Sequence, residues 1–135
     1  MTHRIALRGP WEFEWLTPPV GTVATGRGTL PADWWKLWGP QTGRVAWHRW
    51  FHRPTGLEAD ERVWVVVEGP EGGIEIRLND MPIEEFGRGG RLQVDLTTQL
   101  QARNRLSVVL TVSCVDEIAA ANLTAVSLMI GRVDE

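Results

Sequence analysis

The stretch Arg62-Val63-Trp64-Val65-Val66-Val67-Glu68, then Gly69-Pro70-Glu71-Gly72-Gly73, then Ile74-Glu75-Ile76-Arg77-Leu78-Asn79-Asp80, decides the fold. The near-continuous valine run over 62–68 reads as a strand buried on both faces. The glycines and proline after it form a turn. From Ile74 to Leu78 apolar residues alternate with charged ones, the period of a strand with one wet face. Asn79-Asp80 then turns the chain again.

The same grammar runs outward in both directions. Strands are expected over 4–7 and 11–15, the second reading Trp-Glu-Phe-Glu-Trp in strict alternation. Pro18-Pro19 imposes an extended loop, and Thr29-Leu30-Pro31 leads into a Trp-rich loop that ends at Gly39-Pro40. Residues 44–53 place Val45, Trp47, Arg49 and Phe51 on one face, with Trp47 central to the core. Further strands fall at 91–96, 106–115 and 126–130, roughly nine in all. Asp95 or Thr97 can cap a short helical turn through Leu100, and only 116–122 has helical flavour elsewhere. No heptad, long amphipathic helix or β-α-β alternation is present. The chain therefore reads as all-β: one domain over 1–135, a β-sandwich of two antiparallel sheets.

Composition narrows the function. Of 135 residues, 43% are hydrophobic and 23% charged, the balance of a globular domain. The net charge of -3 supplies no cationic field for phosphates, which argues against nucleic acid. No apolar run approaches the roughly 20 residues of a membrane span. The opening Met1-Thr2-His3-Arg4-Ile5 has no signal-peptide core, so a cytoplasmic location is expected. The one cysteine, Cys114, lies in the apolar run from Val108 to Val115 and is expected to be a buried, inert thiol in a reducing compartment. Asn122-Leu123-Thr124 matches a glycosylation sequon by chance on this reading. Eight tryptophans stand out against three Phe and no Tyr; indoles fill cores and also stack on sugars.

Several segments, taken in order, resemble the N-terminal sugar-binding domain of glycoside hydrolase family 2, the β-galactosidase, β-glucuronidase and β-mannosidase group. Gly9-Pro10-Trp11-Glu12-Phe13 is similar to its opening Gly-x-Trp-x-Phe. Leu30-Pro31-Ala32-Asp33-Trp34 is similar to its Val-Pro-Gly-Asp-Trp loop, and Trp47-His48-Arg49-Trp50-Phe51 to its Trp-Tyr-Arg-Arg-x-Phe strand. Residues 62–69 and 74–79 resemble its paired strands. Val94-Asp95-Leu96-Thr97 with Asn104-Arg105-Leu106-Ser107-Val108 resembles its Phe-Asp-Ile-Thr…Asn-x-Leu-x-Val segment. The resemblance implies a galactose-binding-domain-like jelly roll. It also implies no catalytic machinery here, because the family's catalytic carboxylates lie on a barrel several hundred residues further on. Full enzymes place polar residues of the loop between the paired strands beside the sugar; here that loop is Pro70-Glu71-Gly72-Gly73, and Glu71 is its polar side chain.

Trp34, Trp35 and Trp38 are the first candidates for carbohydrate binding, with Glu71, since an exposed indole stacks on a pyranose while Asp33 and Lys36 bond its hydroxyls. The competing role is capping the end of the sandwich. Trp38 lies furthest from the Pro-x-Asp-Trp match and is expected to be the indole free for a sugar. His48 and His52 stand about 13 Å apart on a strand rising ~3.3 Å per residue, too far to share a metal. Arg49 is expected to pair with a carboxylate or stack on an indole. Glu68, Glu71, Glu75, Glu84 and Glu85 show no grouping into a glycosidase pair. Gly87-Arg88-Gly89-Gly90-Arg91 lacks the Lys-Ser/Thr of a phosphate loop, and Asp116-Glu117 is too sparse for calcium, so no cofactor is expected. Two readings of function remain: a non-catalytic carbohydrate-binding or accessory module, whose partner is a glycan or a separate glycosidase, and a protein-interaction scaffold that keeps the jelly roll without the sugar site.

Overall fold

Strict alternation does what its period requires: the end indoles Trp11 and Trp15 are buried while Glu12 and Glu14 face solvent. The computed structural model describes residues 2–17, 24–86 and 90–132, with the backbone alone at 85 and 86. Pro18-Pro19 and most of the glycine-rich run from Gly87 lie outside the described residues. The strands are β1 (His3–Ala6), β2 (Trp11–Trp15), β3 (Thr25–Gly28), β4 (Gly43–His52) and β5 (Glu61–Glu68). They continue as β6 (Gly73–Leu78), β7 (Met81–Phe86), β8 (Arg91–Asp95), β9 (Arg103–Val112) and β10 (Ala125–Arg132). One short helix, α1 (Trp34–Trp38), follows β3, and 3-10 helices occupy Thr97–Gln99 and Val115–Ala120.

Two antiparallel sheets face each other, in the orders β1-β10-β5-β8 and β3-β2-β4-β9-β6-β7. The all-β sandwich expected from the short alternating runs is therefore what forms. Between the sheets lies one apolar cluster: Val63, Val65 and Val67 of β5 and Leu128 of β10 meet Trp47 of β4, Val108 of β9 and Ile76 of β6. Val45, Trp47 and Phe51 point inward as their spacing predicted. Val66, on the opposite face of β5, is also fully buried, so the valine run is dry on both sides. Asn104 is buried too, and satisfied: its carbonyl oxygen accepts from the Gln101 N–H at 2.8 Å and the Asn79 amide at 3.1 Å.

Four expectations change. The strands over 62–68 and 74–78 are not partners: β5 belongs to the four-stranded sheet and β6 to the six-stranded one, so the loop through Glu71 crosses the sandwich. Two strands escaped the sequence reading. β3 carries Gly26 and Gly28, poor strand formers that are needed here: a Cβ on Gly26 would sit 2.6 Å from the Phe13 ring, and one on Gly28 would press Trp47 at 3.1 Å. β7 contains Pro82, tolerated because the strand is at an edge beside a register shift at Ile76/Arg77. The Asn79-Asp80 turn before it has positive φ at both residues, 53° and 69°, as a tight hairpin demands. Third, the Trp-rich loop contains α1. Fourth, Cys114 is exposed, because β9 ends at Val112 and the chain leaves the sheet before it.

Candidate functional site

Asp33 has extended backbone and accepts the Lys36 N–H at 3.2 Å, capping the first turn of α1. Once the segment is helical, residues four apart share a face. Trp34 and Trp38 therefore turn inward together, 1% and 9% exposed, and Trp35 and Leu37 turn out, 56% and 44% exposed. Trp34 is pinned from three sides. Its N–H donates to the Asn122 side chain at 3.0 Å, its indole N–H donates to the Gln41 carbonyl at 2.9 Å, and its ring meets Trp15 edge-on at 5.3 Å. Trp38 packs edge-on against Phe13, Trp15 and Trp34, with centroids 5.3, 5.0 and 4.9 Å apart. Both indoles cap the sandwich end, and the expectation that Trp38 is free for a sugar is corrected. The helical period, invisible to a loop reading, assigns it to the core.

Beside α1 opens a cleft of about 470 Å³. A two-way backbone bridge joins its Ala32 to Leu123, Ala32 N–H to Leu123 O at 2.7 Å and Leu123 N–H to Ala32 O at 3.1 Å. Thr29, Asp33, Lys36 and Leu37 line one side and Asn122 and Thr124 the other. The second wall depends on Gly69: at φ 113°, a side chain there would be strained, and its Cβ would lie 2.4 Å from the Thr124 hydroxyl. Carboxylate, ammonium, amide and hydroxyl groups thus stand around a partly apolar floor, an arrangement suited to a polyhydroxylated ligand. In the sequence Asn122 and Thr124 stand out as a sequon, and nothing local announces that they line one cleft with Asp33.

Glu71 is exposed in the crossing loop, its N–H donating to Ala120 O at 2.8 Å, and it does not line this cleft. Of the four candidates, the structure leaves Trp35 and Glu71 open to solvent; Trp35 belongs to the helix beside the cleft, and neither side chain lines it.

The outer face of the six-stranded sheet carries an arrangement that resembles a catalytic triad. His48 Nδ1 lies 2.6 Å from Ser107 Oγ and Nε2 lies 3.2 Å from Glu14 Oε1. Ser107 is 1% exposed, flat on a central strand, so its hydroxyl has no open path to a carbonyl carbon. The chain of bonds ties β2, β4 and β9 together. Nearby, the Glu75 carboxylate is buried between Arg44 at 3.3 Å and Arg77 at 3.0 Å, and it raises the Arg77 pKa above its ordinary value. Arg49 meets neither a carboxylate nor an indole among the described residues: its guanidinium donates to the carbonyls of Arg8 and Trp50. Among the described residues no three metal-ligating side chains cluster.

No family model matches the sequence, and no curated protein matches it. Solved structures do. An FMN-binding β-glucuronidase from Facaelibacterium prausnitzii L2-6 superposes with a TM-score of 0.80 over 98% of this chain at 20% identity. A Dictyoglomus thermophilum β-D-glucuronidase gives 0.77 over 98% at 12%, and a Bifidobacterium dentium β-glucuronidase complexed with coumarin-3-O-glucuronide gives 0.74 over 97% at 17%. These neighbours are family 2 glycosidases, and the likeness, at such identities one of fold, is consistent with their N-terminal sugar-binding domain. This chain spans only 23%, 28% and 30% of their respective lengths.

Proposed function

We propose that the chain is a non-catalytic carbohydrate-binding or accessory module whose sugar contact is the cleft beside α1. The observation that carries this reading is the set of hydrogen-bonding side chains that line the cleft, Asp33, Lys36, Asn122 and Thr124, with the outward indole of Trp35 on the same short helix though not itself in the lining. A pyranose offers an apolar face to an indole and hydroxyls to such groups. One stack contributes about 1–2 kcal/mol, and with a few hydrogen bonds added a monosaccharide binds at roughly millimolar Kd. The fold likeness to glycosidases, of which this chain matches about a quarter, supports an accessory role beside a separate catalytic unit.

A glycan array probed with the purified chain tests the proposal, with Trp35→Ala as control. Retention on one structurally related set of glycans, lost in the variant, is expected. A blank array would overturn it in favour of the protein-interaction scaffold, for which the exposed pair Trp35 and Leu37 is the supporting observation.

A further inference from the structure

Away from that cleft, the outer face of the six-stranded sheet ends in an exposed indole with a guanidinium over it. Where β4 finishes and β9 begins, Trp50 stands opposite Arg105, and His52 opposite Arg103. Trp50 is 45% exposed, and the guanidinium carbon of Arg103 lies 4.1 Å from its ring centroid. Arg53 follows on, its N–H held by Ala102 O at 3.0 Å. Arg49 donates to the Arg8 carbonyl at 2.6 Å, which brings the Arg8 backbone to the same end. Among these arginines and the described residues, only Arg105 has a carboxylate partner, Asp80. On this face Arg103 is the cation left open beside Trp50 among the described residues, whereas Arg49 shares the inward parity of Trp47 and Phe51, and Arg8 and Arg53 come to this end by their backbones.

A stacked guanidinium spends its flat face on the indole and keeps its N–H edges free to grip a carboxylate in two places. Trp50 and Arg103 therefore present an aromatic surface and a bidentate anion donor side by side, the two groups a uronic acid needs. We propose that this patch binds acidic glycans, chains of uronic acid residues, as a second sugar-binding surface; the proposal rests on the carbohydrate reading above. Nucleic acid is disfavoured because the molecule as a whole is anionic and the patch reaches few phosphates.

The test is calorimetric titration of the full chain with tetragalacturonic acid and with its methyl ester. Wild type is compared with Trp50→Ala, Arg103→Ala and Lys36→Ala, all exposed positions, with unchanged circular dichroism as the folding control. The acid should bind at about millimolar Kd and weaken with salt, the ester should bind about tenfold more weakly, and Trp50→Ala and Arg103→Ala should each lose about tenfold for the acid. Equal binding of acid and ester overturns the proposal, as does equally tight binding of hexaglutamate or oligo(dT). If Lys36→Ala abolishes binding and the other two variants do not, the glycan reading stands and the second surface falls. Absence of any binding overturns the second surface, while the cleft beside α1 stands or falls by the glycan array.

Discussion

The indoles of Trp34 and Trp38 meet edge to face with centroids 4.9 Å apart, one helical turn from each other and both sealed into the end of the sandwich. Trp35 lies between them in sequence and on the other side of α1. Truncation should separate the two faces. Trp38→Ala removes a large buried ring from a five-membered aromatic cluster and should cost roughly 3–5 kcal/mol, whereas Trp35→Ala should change stability by less than about 0.5 kcal/mol. Urea unfolding of the two variants measures the difference directly.

Gly26 supplies a second stability prediction, because Phe13 occupies the space its side chain would take. Gly26→Ala should destabilise by about 1–3 kcal/mol, since the Phe13 ring is itself held against Trp38 and Trp47 and has little room to yield. A neutral or stabilising substitution in thermal unfolding would mean that β3 is not packed over Phe13.

Asp95 gives the fold a pH dependence. Burial alone would raise its pKa, but the Thr97 hydroxyl and N–H, at 2.6 and 2.9 Å, and the Arg62 guanidinium, at 2.8 Å, together hold it below the ordinary carboxylate value. A depressed folded-state pKa contributes stability above the unfolded-state value and loses it as pH falls through the carboxylate range. Wild type should therefore lose more stability than Asp95→Asn between about pH 6 and about pH 3. Parallel denaturation curves for the two proteins across that range would contradict the assignment.

Cys114 is exposed, with its thiol 3.4 Å from the Glu117 carboxylate at the start of a 3-10 helix. Ellman's reagent should titrate one thiol per chain in the native state without denaturant. Reaction only after unfolding would restore the buried thiol that its apolar neighbours suggested.

What the sequence made legible follows from range. The strands β2 and β4 announce themselves because alternation is local, and the turn at Asn79-Asp80 because its chemistry is local, though the strand β7 that follows it does not. β3 was hidden because its glycines make sense only once Phe13 and Trp47 lie over them. β5 and β6 looked like partners because adjacency in sequence carries no record of which sheet a strand joins. At the candidate site, Asp33, Lys36 and the tryptophans could be read as a group. Asn122 and Thr124 could not, since the Ala32–Leu123 bridge that brings them there spans about ninety residues. The five-residue helix turns on a single cap, and a Trp-rich segment between prolines gives no periodicity long enough to reveal it.

The central claim is that a sugar docks beside α1, and the indole N–H resonances test it most directly. Glucuronic acid, galactose and mannose are titrated separately into isotope-labelled protein while two-dimensional NMR follows the indole signals. With at least one of the three, the Trp35 signal and the backbone signals of Lys36 and Asn122 should shift along a common curve with a roughly millimolar midpoint, while the buried Trp38 signal stays fixed. Shifts confined to Trp38, or no shift at any of these positions with all three sugars at saturating concentration, would contradict the account.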